Sequence, residues 1–365
     1  MKYDYLIVGA GFAGAVLAER LASQRNKKVL IVEKRNHIGG NAYDEYDEQG
    51  ILIHRYGPHI FHTNSDEVFN YLSQFTGWIK YEHKVLAKSG EELYPIPINR
   101  ITLNNFYKLN LSTEAEAENF LNSKKENRHP VLNSEDIIVN QVGYDLFEKF
   151  FRHYTKKQWN LEPKELSSSV CGRIPVRFNE DCRYFTDKFQ FMPDAGFTSM
   201  FKKMLDHKNI EVALNQDYKD LIPHLKFNHL IYTGPIDLYF DYLFGRLPYR
   251  SIWFEFKKLK QPELQKASVY NYVDSSVPYT RVTEYKLITG QISDFTTVSY
   301  EYTIENGDPF YPIPNENNRK LYLMYKKQAD KLKSVTFCGR LAEYQYYNMD
   351  QVVASVLALL RKKIL

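Results

Sequence analysis

Three glycines at the junction of a strand and a helix constrain this chain more than any other feature. Gly9, Gly11 and Gly14 form a G-x-G-x-x-G run. It follows the strand-like YDYLIVG (3–9) and opens GAGFAGAVLAERLASQ (9–24), whose apolar residues keep a helical period. KKVLIVEK (27–34) then reads as a second buried strand. Strand, glycine turn, helix and strand make a βαβ unit, which commits the chain to a parallel sheet with a right-handed crossover. In this context the first glycine makes the tight turn, the second admits a pyrophosphate and the third lets helix pack on strand. The pyrophosphate then meets unpaired N–H groups and the positive end of a helix dipole. Phe12 opens that helix at the same site. Glu33 lies nineteen residues beyond Gly14, where a carboxylate can accept from ribose hydroxyls. A solvated glycine turn with an unrelated Glu is the bland alternative, and the ordered strand, helix, strand and acid weigh against it.

The strand–glycine–helix logic returns twice, in HLIYTGPID (229–237) and in SVTFCGRLAEYQYYNMDQVVASVLALL (334–360). The expected fold is therefore α/β, with a Rossmann-like nucleotide-binding domain assembled from 1–85, 206–245 and 331–365. Residues 100–165, including TEAEAENFLNSKKE, are rich in helix formers and read as an inserted helical domain. Short β-branched and aromatic runs such as SIWFEF, SVYNYV, TRVTEYKLI and FTTVSYEY alternate with turn residues. They assign 86–99, 166–205 and 246–330 to an antiparallel sheet domain.

Composition narrows the partners. A net charge of +4 over 365 residues gives no basis for a nucleic-acid partner held by phosphate neutralisation. Three scattered cysteines, Cys171, Cys182 and Cys338, supply neither a disulfide framework nor a metal cluster, and point to a reducing cytoplasm. No metal site, membrane span or leader is expected; VVASVLALLRKKIL (352–365) reads as a closing helix with basic residues at its C-terminus. The 29 tyrosines fit pockets that stack rings and also hydrogen-bond oxygens, or equally a Tyr-rich core.

After Glu33 the chain continues KRNHIGGNAYD, with Lys34, then Gly39, Gly40 and Asn41. This resembles the extended FAD fingerprint of flavoproteins of the glutathione-reductase and amine-oxidase type. A second glycine pair lets another backbone segment approach the long phosphate–ribityl chain. HIGGNAYD (37–44), RYGPHIFHT (55–63), YTKKQWNLEPKEL (154–166), GRIPVRF (172–178), YTGPIDLYFDYLFGRLPYRS (232–251), VPYTRVTEYK (277–286) and GRLAEYQYYNMD (339–350) together strongly resemble the bacterial UDP-galactopyranose mutases, across essentially the whole chain.

The resemblance implies a noncovalently bound FAD that works only when reduced. Its nitrogen-5 displaces UDP from UDP-galactopyranose, and the flavin–sugar adduct opens, recloses as the five-membered ring and takes UDP back. Such an isomerase needs an external reductant such as NAD(P)H or a reductase, is a homodimer, and supplies galactofuranose for cell-surface polysaccharide. By the same resemblance Arg173 and Arg281 grip the diphosphate, where guanidinium forks suit phosphate oxygens. Tyr184, Tyr311 and Tyr346 donate hydroxyls, and Arg250 and Asn271 also face the substrate. Phe150, Phe151 and Tyr154 surround uridine; Phe150 and Tyr154, four apart, are expected on one helical face. Trp159 and Arg173 belong to a mobile loop.

On the cofactor side the resemblance places His59 and Ile60 beside the flavin and His62 near the reacting ring. It assigns Gly234, Arg340, Tyr346, Asn348 and Met349 to the same cofactor, the helix after Met349 turning its positive end to the flavin. Taken singly, each Arg, His or Tyr is more often a surface ion pair or a packed core residue. Two departures stand out: Asn348 replaces an Asp of relatives, and FQFMPDAGF (189–197) replaces a glycine-richer turn that would border the pocket. The same fold hosts flavin oxidoreductases and non-catalytic binding modules. The arginines speak against an amine substrate, and the intact glycines against a module without cofactor.

Overall fold

The computed structural model describes residues 2–172 and 175–362. Five parallel strands lie in the order Ile210–Ala213, Val29–Val32, Lys2–Val8, Lys226–Tyr232, Val335–Phe337. The VLIV strand is buried along its whole length, as a central parallel strand covered on both faces must be. Helix Phe12–Arg25 is buried on most sides because it lies between this sheet and the helices Met349–Arg361 and Gly196–Leu205. It stops at Asn26, which takes the left-handed conformation with φ 51°.

The second sheet has seven strands, in the order Tyr311–Pro312, Tyr249–Leu259, Thr296–Ile304, Arg281–Glu284, Val269–Tyr272, Val85–Ser89, Glu92–Ile96. All neighbours are antiparallel except Val269–Tyr272 and Val85–Ser89, which run parallel. Helices Arg100–Tyr107, Glu114–Lys124 and Ser134–Val142 pack beside its end. Each begins on a side-chain cap, Asn99, Thr113 and Asn133 respectively. Their apolar residues share one core with the Val85–Ile96 hairpin, including Ala87, Ile98, Leu121, Val139 and Phe147.

Part of the 166–205 assignment differs from expectation. Strand Phe189–Pro193 leaves the large sheet and pairs with Phe61–Thr63 and Trp78–Lys80. The cause is aromatic: Phe69 stacks on Phe189 at 4.0 Å between ring centroids and on Trp78 at 5.5 Å, burying this ribbon against the nucleotide-binding core. Helix Gly196–Leu205 follows it there, with Phe201 against Phe12 at 4.8 Å. The 189–197 segment consequently borders neither of the two cavities described below.

Candidate active site: two cavities with a common wall

The larger cavity, about 870 Å³, runs along the glycine turns. A Cβ on Gly14 would lie 1.9 Å from the Gly9 carbonyl oxygen, so only glycine lets this helix start so close to the strand. Gly9 itself has φ 103°, and a Cβ there would strike Thr233 Oγ1. Gly14 packs behind the turn, whereas Gly9, Gly11 and Phe12 line the cavity. The second glycine pair closes over the first: Gly39 N donates to the Ala10 carbonyl at 2.9 Å. Beside this turn Glu33 accepts from Ala10 N at 2.9 Å and Arg35 N at 3.0 Å, fixing its carboxylate in place. Lys34 is exposed and pairs with Asp308 at 3.1 Å. Its neighbour Arg35 does more: it bonds Asn41 Oδ1 and Asp308, each at 2.9 Å, and stacks over Tyr56.

Gly40, Asn41, Gly234, Gly339 and Arg340 complete this wall, and Arg250, expected on the substrate side, lines it too and not the smaller cavity, although its strand partner Tyr311 lines the latter. The Arg250 Nε is buried and has no hydrogen-bond partner among the described residues.

The smaller cavity, about 420 Å³, is built from side chains. The helical insert contributes Phe150, Phe151, Tyr154 and Trp159. Residues Phe147–Arg152 form a π-helical turn before the α-helix His153–Trp159, so the four-residue spacing of Phe150 and Tyr154 does not follow an α-helical face. Both nevertheless line the cavity, with Phe150 edge-on to Tyr94 and Tyr154 hydroxyl 3.5 Å from Asn271 Oδ1. Trp159 is buried against Leu166 and Ile313, its ring 6.4 Å from Tyr311 and 6.2 Å from Tyr346. Arg173 lies outside the described residues.

The sheet supplies the charge. Arg281 Nε stands 2.8 Å from Glu301 Oε2, but the pair is not aligned as a hydrogen bond. Among the described residues neither Arg281 Nε nor Glu301 Oε1 has a hydrogen-bond partner, and Glu301 is only 2 % exposed. Burial alone would lower the Arg281 pKa; Glu301 and the facing Tyr154, Tyr311 and Tyr346 hold it well above its ordinary value. Burial draws the Glu301 carboxyl upward, against Arg281. With a guanidinium so close and permanently charged, the ion pair is the state that holds. Burial also raises Tyr154 and pushes Tyr311 up to about 12, so both remain hydroxyl donors at neutral pH. Tyr184 lines the same cavity beside His83.

His62 also lines it. Its Nδ1 is 3.0 Å from Asp187 Oδ2 and its ring stacks on Phe185 at 3.6 Å. The carboxylate favours a proton on Nδ1, which directs Nε2 as the acceptor. Asp187 is held in turn by Asn64 Nδ2 at 2.9 Å. Ile60, Tyr346 and Asn348, expected at the cofactor, border the smaller cavity and not the larger one. Asn348 precedes helix Met349–Arg361, and its N–H donates to Gln351 Oε1 at 2.9 Å.

His59, Arg340 and Met349 face both cavities, and form their common wall. His59 Nδ1 is 2.9 Å from the Gly57 carbonyl, while burial lowers its pKa to about 3 and keeps the ring neutral. Arg340 lies 5.7 Å from the ring centroids of both Tyr311 and Tyr346 and donates to the Tyr347 carbonyl.

Glu301, Asp187, His83, Phe185 and Arg35 were not among the expected site residues. Glu301 carried a readable signal: in SYEY (299–302) strand alternation sets it opposite Tyr300 and Tyr302. The inward face belongs to the acid because that face lines the cavity.

Residues 7–75 match the NAD(P)-binding Rossmann-like domain, and residues 149–346 match the UDP-galactopyranose mutase family. The chain is 39% identical over 356 residues to the dTDP-fucopyranose mutase of Escherichia coli, covering 94% of each protein. It is 37% identical over 378 residues to the UDP-galactopyranose mutase of Mycoplasma genitalium, covering 96% of this chain and 92% of that one. A crystal structure of reduced UDP-galactopyranose mutase superimposes with a TM-score of 0.77 at 16% identity, over 99% of this chain and 94% of that one. A putrescine oxidase shares the fold more distantly, with a TM-score of 0.58 at 13% identity. With the family match spanning more than half the sequence and relatives aligned almost end to end, this chain belongs to the UDP-galactopyranose mutase family.

Proposed function

We propose that the protein interconverts UDP-galactopyranose and UDP-galactofuranose, with reduced FAD bound noncovalently in the larger cavity. One observation carries this reading: the glycine-walled cavity and the arginine- and tyrosine-lined cavity meet at His59, Arg340 and Met349. The larger cavity fits a dinucleotide because the contacts at Gly9 and Gly14 leave no room for a side chain in its glycine turn, and because Glu33 is held beside that turn. Bound there and reduced, the flavin would supply a nucleophile to the sugar's anomeric carbon.

The chain's own residues do the rest. Arg281 and, by the family pattern, Arg173 neutralise charge on the leaving diphosphate, a role suited to guanidinium in a low-dielectric site. Tyr184, Tyr311 and Tyr346 add hydroxyl donors, and burial helps Tyr311 retain its proton. Phe150, Phe151 and Tyr154 give uracil an apolar platform. Asp187 holds His62 in one tautomer toward the cavity. Trp159 covers one side, keeping water from a sugar that must not hydrolyse. The family resemblance supports an external reductant, NAD(P)H or a reductase, and a homodimer. Cys171, Cys182 and Cys338, which form no disulfide among the described residues, fit a reducing cytoplasm.

The test is turnover without consumption. Anaerobically reduced protein should convert UDP-galactofuranose many times per flavin, and the oxidised protein should be inert. One reductant consumed per product would make it an oxidoreductase instead. A marked preference for dTDP-fucopyranose would assign it the activity for which the Escherichia coli relative is named.

A further inference from the structure

Lys156 and Lys157 are neighbours with opposite surroundings. Lys156 is exposed and pairs with Glu162 at 2.6 Å. Lys157 is half-buried and turns its ammonium into the loop joining strands Val269–Tyr272 and Arg281–Glu284. There it donates to four backbone carbonyls: Tyr272 at 2.7 Å, Asp274 at 2.9 Å, Val277 at 3.0 Å and Tyr279 at 3.1 Å. An ammonium has three protons, so four acceptors use its whole donor capacity. Without it, four carbonyl dipoles would point their negative ends at one place.

The two ends of this loop are Asn271 and Arg281, and both line the smaller cavity. The helix bearing Lys157 carries Tyr154 and Trp159 on the facing wall. Direct contact between those walls is weak, the Tyr154–Asn271 hydrogen bond being 3.5 Å long. The outer side of the loop is anchored separately, with Asp274 accepting from Ser89 Oγ at 2.6 Å and Gly90 N at 2.8 Å.

We propose that Lys157 is a positioning residue for nucleoside-diphosphate binding: it clamps the 272–280 loop to helix His153–Trp159 and so sets the separation of Arg281 and Asn271 from Tyr154 and Trp159. This rests on reading the smaller cavity as the diphosphate site. The clamp touches no substrate; it acts through the two walls it joins.

Lys157→Ala empties a carbonyl-lined space of ammonium size. The variant should keep its flavin spectrum, bind UDP at least tenfold more weakly, and lose kcat/KM mainly through KM. Ammonium or methylammonium chloride should restore UDP affinity, whereas tetramethylammonium chloride at equal ionic strength should not. Unchanged UDP affinity, or a loss that both salts repair equally, would overturn the clamp. UDP binding and its rescue are measured without turnover. If wild type binds UDP but converts neither nucleotide sugar, the proposed activity fails while the clamp is still decided. Should the variant not fold, brief acetylation of the wild type decides: the caged Lys157 should stay unmodified while exposed Lys80 reacts. Equal labelling of the two would overturn the proposal.

Discussion

The two cavities are made of different materials. The larger is walled by backbone at Gly9, Gly11, Gly40, Gly234 and Gly339, the smaller by the side chains of Phe150, Phe151, Tyr154, Arg281, Tyr311 and Tyr346. Backbone walls suit a cofactor shared by many enzymes, since N–H groups and helix ends hold phosphates whatever the chemistry. Side-chain walls choose the substrate, and they come from stretches far apart in sequence. The contrast predicts that damage to the first abolishes the holoprotein, whereas damage to the second grades its activity.

The largest effect should come from Gly14→Ala. Its Cβ meets the Gly9 carbonyl, a backbone atom that cannot step aside. Flavin content of the purified variant should fall below roughly a tenth of wild type, in keeping with overpacking at a rigid contact. Full flavin content measured by absorbance would show that the glycine turn is not what holds the cofactor.

Arg281→Ala should retain flavin yet lose turnover by roughly a hundredfold, since charge-assisted hydrogen bonds contribute about 1.5–3 kcal/mol each. It also strands Glu301, and breaking a buried pair from one side costs about 3–5 kcal/mol of stability. Arg281→Ala with Glu301→Gln should recover much of the stability and none of the activity. Denaturant titrations beside kinetics separate the two, and recovery of activity in the double variant would mean that Arg281 serves only the ion pair.

Much of this contrast was legible in the sequence, unevenly. The glycine turn, both flanking strands and Glu33 follow from spacing alone, because a pyrophosphate loop permits few solutions. The insert, the large sheet and most of the aromatic lining also follow from pattern and resemblance. The course of 189–205 did not, since Phe189 and Phe191 alternate like any strand and only Phe69 and Trp78 reveal which sheet takes them. The π-helical turn at Phe147–Arg152 leaves no periodic signature. Asp187 was invisible as a site residue because its importance lies in what it touches, His62, whereas Glu301 showed only through the strand alternation of SYEY.

Histidines around the common wall offer a subtler test. Burial lowers His59 and His83 to about 3 and His54 to about 4, from 6.5. Between those values and 6.5 the unfolded chain binds protons that the folded chain does not. Stability present above pH 6.5 is therefore lost as pH falls through that window, by up to about 1.4 kcal/mol per pH unit for each histidine. Unfolding free energies at pH 7 and pH 5 measure it, and equal values would mean the three rings are hydrated.

Smaller still, Tyr311→Phe removes one neutral donor and should cost roughly threefold to tenfold in kcat/KM, near 1 kcal/mol. A loss as large as that of Arg281→Ala would make this hydroxyl more than one donor among several.

In the proposed reaction a reduced flavin in the backbone-walled cavity reaches, past His59, Arg340 and Met349, a sugar held in the side-chain-walled one. Reconstitution with 5-deaza-FAD tests this most directly, because carbon replaces nitrogen at the reacting position while the shape is kept. The reduced, reconstituted protein should bind UDP undiminished and convert no UDP-galactofuranose; full conversion would rule out nitrogen-5 as the nucleophile.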